Sequence, residues 1–132
     1  LKHILKPQLL EDVPQDVQAL FEVARGALLY GYFFYPLYTL AAEQLFRVAE
    51  AAISDKCKAK RAPKSKKKFV EKINWLADNG TISQADIKAW TAIREMRNFA
   101  SHPERQSIIT PGLAIGWLED VSEKINTLFR RF

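Results

Sequence analysis

Arg97, Asn98 and His102 are the residues whose types and spacing could do chemistry together. A guanidinium is always charged and presents planar N–H donors, an amide both donates and accepts, and an imidazole with a pKa of about 6.5 moves a proton near neutral pH. Such a trio suits a reaction in which a proton is transferred while negative charge builds on oxygen. On a continuous helix, positions five residues apart diverge by about 140°. Arg97 and His102 therefore converge only if the helix breaks between them, and Pro103 supplies the break by driving the residue before it out of helical geometry.

Arg97 falls on the helical wheel between Trp90 and Ile93, which directs its guanidinium into the apolar stripe facing the bundle. A buried charge needs a partner. Glu43 and Glu50, carboxylates on an otherwise buried helix, are the natural counter-ions, with Arg47 competing for them. The same residues also read as a structural ion pair that fixes helix register, and His102 as a cap at the negative end of a helix dipole.

The elements that position these residues are helices. Val17, Leu20, Phe21, Ala24 and Leu28 predict a first helix from about Pro14 to Tyr30, followed by a hinge at Gly31. Six aromatics crowd the nine residues Tyr30 to Tyr38, which suits a helix joint, a dimer contact or a stacking surface for bases. Pro36 fits the first turn of a second helix reaching about Lys56. Its Leu37, Leu40, Ala41, Leu45, Phe46, Val48, Ala49, Ala52 and Ile53 cover most of the circumference, leaving Glu43, Arg47 and Glu50 as a narrow polar stripe.

A third helix is predicted from near Ser65 to Asn79-Gly80, with Phe69, Val70, Ile73, Leu76 and Ala77 inward and Trp75 pointing away. Ser83 with Asp86 starts a fourth, which carries Ile87, Trp90 and Ile93 inward and ends near Ser101. Thr110-Pro111 starts a fifth, with Leu113, Trp117, Leu118, Val121, Ile125, Leu128 and Phe129 on one face. No strand pattern and no internal repeat occurs. The expected fold is a single all-α domain over residues 1–132, an antiparallel bundle of four to five helices.

Length and composition set the limits. The 132 residues suit one domain, and 48% hydrophobic with 27% charged residues is the balance of a globular chain. One cysteine, Cys57, excludes an intramolecular disulfide, and with two histidines it is too little for a thiolate or imidazole zinc site. No metal and no cofactor is expected, since no His-Glu-x-x-His, P-loop, Gly-x-Ser-x-Gly or dinucleotide fingerprint appears. No apolar run is long enough to span a bilayer, and residues 1–7 lack a signal-peptide core, so a cytoplasmic address without membrane contact is expected. Leu1 in place of methionine is consistent with a piece of a longer chain.

The net charge of +5 is local. Eight of the thirteen residues from Lys56 to Lys68 are basic and none is acidic, leaving the rest of the chain with 12 basic and 15 acidic groups. Beside Ala62-Pro63 this run reads as a solvated loop. It serves either as a solubilising connector or as a phosphate-tracking patch formed by Lys60, Arg61, Lys64, Lys66, Lys67 and Lys68.

The Arg97-Asn98 pair followed by His102, at the end of an amphipathic helix and preceded by a helix with an acid-bearing stripe, resembles the HEPN superfamily (higher eukaryotes and prokaryotes nucleotide-binding). The resemblance covers residues 14 to 130, with strict motif matching confined to those three residues; the basic loop and the aromatic run are not family signatures. It implies an RNA-cleaving domain acting as a homodimer without metal, or a relative that has lost activity and serves as a binding module. It also implies a setting in toxin, defence or RNA-processing systems, with a cognate antitoxin or nucleotidyltransferase as partner. In such a site the 2′-hydroxyl of RNA attacks the adjacent phosphorus, His102 transfers the proton, Arg97 holds the phosphoryl oxygens and Asn98 orients phosphate or ribose. The alternative is a non-enzymatic helical module, binding RNA or protein, in which Arg97 is structural.

Overall fold

The computed structural model describes residues 2–34, 36–101 and 110–130, the side chains of 99–101 excepted. Six helices occur among them: α1 (Lys2–Leu5), α2 (Gln15–Gly31), α3 (Leu37–Ala59), α4 (Phe69–Asp78), α5 (Gln84–Ser101) and α6 (Pro111–Phe129). No strand occurs among the described residues, and the chain is an all-α bundle. α3 is its axis, packing on α2, α4, α5 and α6. Its Ala41, Ala42, Ala49 and Ala52 have no exposed surface, so short side chains admit neighbours on several sides. Tyr38 and Ala42 join this face, whereas Leu40, expected inside, faces out.

The hairpin between α2 and α3 closes on Gly31. A Cβ added there would lie 2.6 Å from Cε1 of Tyr38, whose ring is buried and has little room to retreat. Gly31→Ala is therefore expected to destabilise the fold by about 1–2 kcal/mol, overpacking outweighing the gain in helix propensity. Chemical denaturation of the two proteins checks this.

Local signals set the helix ends. Ser83 Oγ accepts the Asp86 N–H (3.2 Å) and Thr110 Oγ1 accepts the Leu113 N–H (3.1 Å), both as expected of N-caps. α3 runs past Lys56 to Ala59, and Lys56 lies over the Phe129 ring, 5.2 Å from its centroid. It stops in a Schellman turn: Ala62 N–H donates to Cys57 O, Arg61 N–H to Lys58 O, and Arg61 takes a φ of 60°. α4 starts at Phe69 and not near Ser65, since Lys68 is extended and its N–H is accepted by the Glu71 carboxylate. A single turn, Lys66 N–H donating to Pro63 O, precedes it, and repulsion among Lys64, Lys66, Lys67 and Lys68 disfavours its extension into helix. With that start Val70 is exposed, and Trp75 packs partly buried against the core instead of pointing away. Leu113, in the first turn of α6, is also exposed.

The N-terminal segment is tied down. Ile4 is buried, and the buried Arg25 of α2 donates to the carbonyls of Ile4 and Pro7 while its Nε pairs with Glu22 at 3.0 Å. Asn126 of α6 accepts the Leu10 N–H and donates to Gln8 O, each at 2.8 Å. Residues 2–10 thereby strap α2 to α6.

One pair of acids opposes the fold. Burial, then a hydrogen bond and repulsion from Asp16, push the Asp55 carboxyl from 3.8 up to about 6, with Lys58 pulling the other way. Because the folded value is raised, the native state binds the extra proton between about pH 4 and 6, and stability falls as pH rises through that window. Asp55→Asn is expected to flatten this dependence and to raise stability at pH 7 by about 1 kcal/mol, after discounting for solvent screening. Thermal melts from pH 4 to 7 test both.

Candidate functional site

The polar stripe of α3 meets the C-terminal half of α5. Glu43, Arg47 and Glu50 lie at i, i+4 and i+7 around Phe46, and Arg94, Arg97 and Asn98 lie at i, i+3 and i+4 on α5. Between them run two adjoining cavities. One, of about 610 Å³, is lined by Leu20, Glu43, Phe46, Arg47, Glu50 and Arg97. The other, of about 460 Å³, is lined by Phe46, Glu50, Lys67, Lys68, Phe69, Val70, Arg94, Arg97 and Asn98. Phe46, Glu50 and Arg97 belong to both, so the two form one cleft.

Arg97 is exposed in this cleft, not buried in the bundle. Met96 occupies the inward position after Trp90 and Ile93, which moves Arg97 to the border of the apolar stripe. Among the described residues no ion pair joins Arg97 to Glu43 or Glu50; Glu43 is half-buried and Glu50 exposed. The guanidinium instead stacks on Phe46, with Cζ 5.1 Å from the ring centroid. Phe46 leans on Phe69 (5.2 Å between centroids) and Phe69 on the buried Trp90 (6.4 Å), so an aromatic row anchors the cleft floor to the core. An arginine held by its face keeps its in-plane N–H groups for an anion.

The cleft carries five cationic side chains, Arg47, Lys67, Lys68, Arg94 and Arg97, against two carboxylates, Glu43 and Glu50. The basic segment is therefore not detached from Arg97, because its last two lysines line the same cleft. The other basic candidates lie elsewhere. Lys60 and Arg61 are exposed at the end of α3, and Lys64 and Lys66 line a separate cavity that adjoins this one through Lys67. Arg94 and the ring of Phe69 also belong to the cleft, and the spacing of Arg94 three residues before Arg97 is the sequence signal for the first of them.

His102, Pro103 and the expected break lie outside the described residues. Asn98 is exposed beside Arg97. Burial pushes the Cys57 thiol up, which sets it aside as a nucleophile. Among the described residues no group of three or more His, Cys, Asp or Glu could hold a metal ion. No described helix is long and apolar enough to cross a membrane.

A second surface adjoins the cleft. Gln44 donates to Leu20 O at 3.1 Å, placing the outer faces of α2 and α3 side by side. Past that point Val23, Tyr30, Tyr32, Phe33, Phe34 and Leu40 are all more than half exposed, Tyr32 and Phe33 at 83% and 80%. Apolar exposure of this kind marks interaction surfaces.

Compared with known proteins, residues 29–131 match the family described as a domain of unknown function (DUF4145), a span that takes in α3 to α6 and every residue of the cleft but Leu20. No curated protein and no solved structure matches the chain significantly.

Proposed function

We propose that this chain, which belongs to the DUF4145 family, is a HEPN-like domain that binds RNA along the Arg97 cleft and cleaves it without a metal. The observation that carries this reading is the exposed Arg97, stacked on Phe46 and flanked by Asn98, Arg94, Lys67 and Lys68 from two different elements. Lysines and arginines that line one cleft suit a polyanionic strand, and Arg97 would meet the phosphate at which charge develops.

In the reaction the 2′-hydroxyl oxygen bonds to the adjacent phosphorus and the bond from phosphorus to the 5′ oxygen breaks. One imidazole accepts the 2′ proton and another supplies a proton to the leaving 5′ oxygen, giving a 2′,3′-cyclic phosphate and a 5′-hydroxyl. His102 provides one imidazole per chain, and a homodimer that opposes two clefts provides the second. The exposed aromatic crest from Tyr30 to Phe34, next to the cleft, supports that pairing. The same crest favours a second reading, a non-enzymatic module that docks a protein partner there.

Lys67→Gln/Lys68→Gln tests the cleft as the RNA interface. The double variant is expected to reduce the slope of log affinity against log salt by about 1.4 for single-stranded RNA, two contacts at roughly 0.7 each. Cleavage at saturating RNA should persist. An unchanged slope would place the RNA on another surface.

A further inference from the structure

Beneath the basic loop, next to the cleft, lies a cavity of about 300 Å³ lined by Ser54, Cys57, Ala62, Pro63 and five lysines, Lys58, Lys64, Lys66, Lys67 and Lys72. The loop is folded over it by the Schellman turn at Arg61, whose left-handed φ of 60° is a conformation that side-chain-bearing residues adopt at a cost. That turn brings Ala62, Pro63 and Lys64 back across Cys57. Lys72 is already aimed, its Nζ donating to Ser54 Oγ at 2.8 Å. A hydroxyl that accepts from Lys72 keeps its own proton to donate. No carboxylate lines the cavity among the described residues; Asp55, the neighbouring acid, is hydrogen-bonded to Asp16 of α2.

We propose that this cavity is a phosphomonoester site, in which the five lysines and the Ser54 hydroxyl bind a terminal phosphate dianion. Five like-charged side chains line one cavity, and an anion of higher charge relieves more of their mutual repulsion. A phosphodiester offers one charge and two free oxygens. A monoester, with a second pKa of about 6, offers nearly two charges and three free oxygens at pH 7. Lysine suits such a ligand, because each ammonium is a compact charge with three rotatable donors and needs no fixed plane. Lys67 lines both cavities, so a strand in the cleft can place its phosphorylated end here; a free mononucleotide presents the same chemistry.

Calorimetric titration with adenosine 5′-monophosphate and with adenosine tests the site without any turnover, so it fails or stands separately from the cleavage reading. Adenosine 5′-monophosphate is expected to bind and adenosine not. Lys72→Gln should weaken the nucleotide at least about tenfold, and so should Lys64→Ala/Lys66→Ala, which alters only the loop and keeps the test decisive if Lys72→Gln fails to fold. Competition by 2′-O-methyl RNA, which lacks the nucleophile, separates the sources. Better competition by the 5′-phosphorylated than the 5′-hydroxyl oligonucleotide identifies a strand end, and equal competition identifies the free nucleotide. Equal binding of adenosine and its monophosphate, or nucleotide affinity unchanged in the loop variant, would overturn the proposal.

Discussion

Arg97→Ala is expected to lower RNA cleavage by at least about a hundredfold, the usual cost of removing a donor from developing phosphoryl charge. Its melting midpoint should move by no more than about 2 °C, because the side chain is exposed and contributes one cation–π contact with Phe46. Arg97→Lys keeps the charge but loses the planar fork and the stacking, so it should recover only part of the rate. A buried ion pair with Glu43 or Glu50 would give the opposite pattern, a large loss of stability on removing the arginine. Rate and melt measured on the same preparations separate the two.

Arg25→Ala is expected to be the damaging arginine substitution for the fold. Arg25 is 6% exposed and its guanidinium donates to the carbonyls of Ile4 and Pro7, and removing it leaves both acceptors without that partner. Charge-assisted hydrogen bonds lost in this way cost about 2–4 kcal/mol together, which for a chain of this size lowers the melting midpoint by roughly 10 °C. The strap of residues 2–10 should loosen first. Hydrogen exchange at Leu10, whose N–H is held by Asn126, reports that directly.

The contrast between these two arginines shows what the sequence made legible. Both stand on an apolar helical stripe, Arg25 after Phe21 and Ala24, Arg97 after Trp90 and Ile93. Periodicity alone does not say which is covered. Arg25 is covered because residues 2–10 fold across it and are fastened to Asn126, a pairing more than a hundred residues apart in sequence. Arg97 lies where α5 passes the polar stripe of α3, and Met96 takes the inward place.

Signals confined to a few residues were legible: the caps at Ser83 and Thr110, the outward line of Glu43, Arg47 and Glu50, and the near-complete burial of α3. The meeting of Lys67 and Lys68 with Arg97 was not, since the charge run reads as a separate loop until α4 is packed against α3 and α5. Likewise Phe46 and Phe69 read as core residues, and their role as a floor beneath Arg97 follows from the crossing of three helices.

The proposed activity is metal-independent RNA cleavage that depends on His102. Its most direct test is incubation of end-labelled single-stranded RNA with excess chelator, comparing the wild type with His102→Ala and identifying the product ends. The wild type is expected to cleave to 2′,3′-cyclic phosphate and 5′-hydroxyl ends, and the variant not above background. Intact RNA with the wild type, or equal cleavage by His102→Ala, would contradict it.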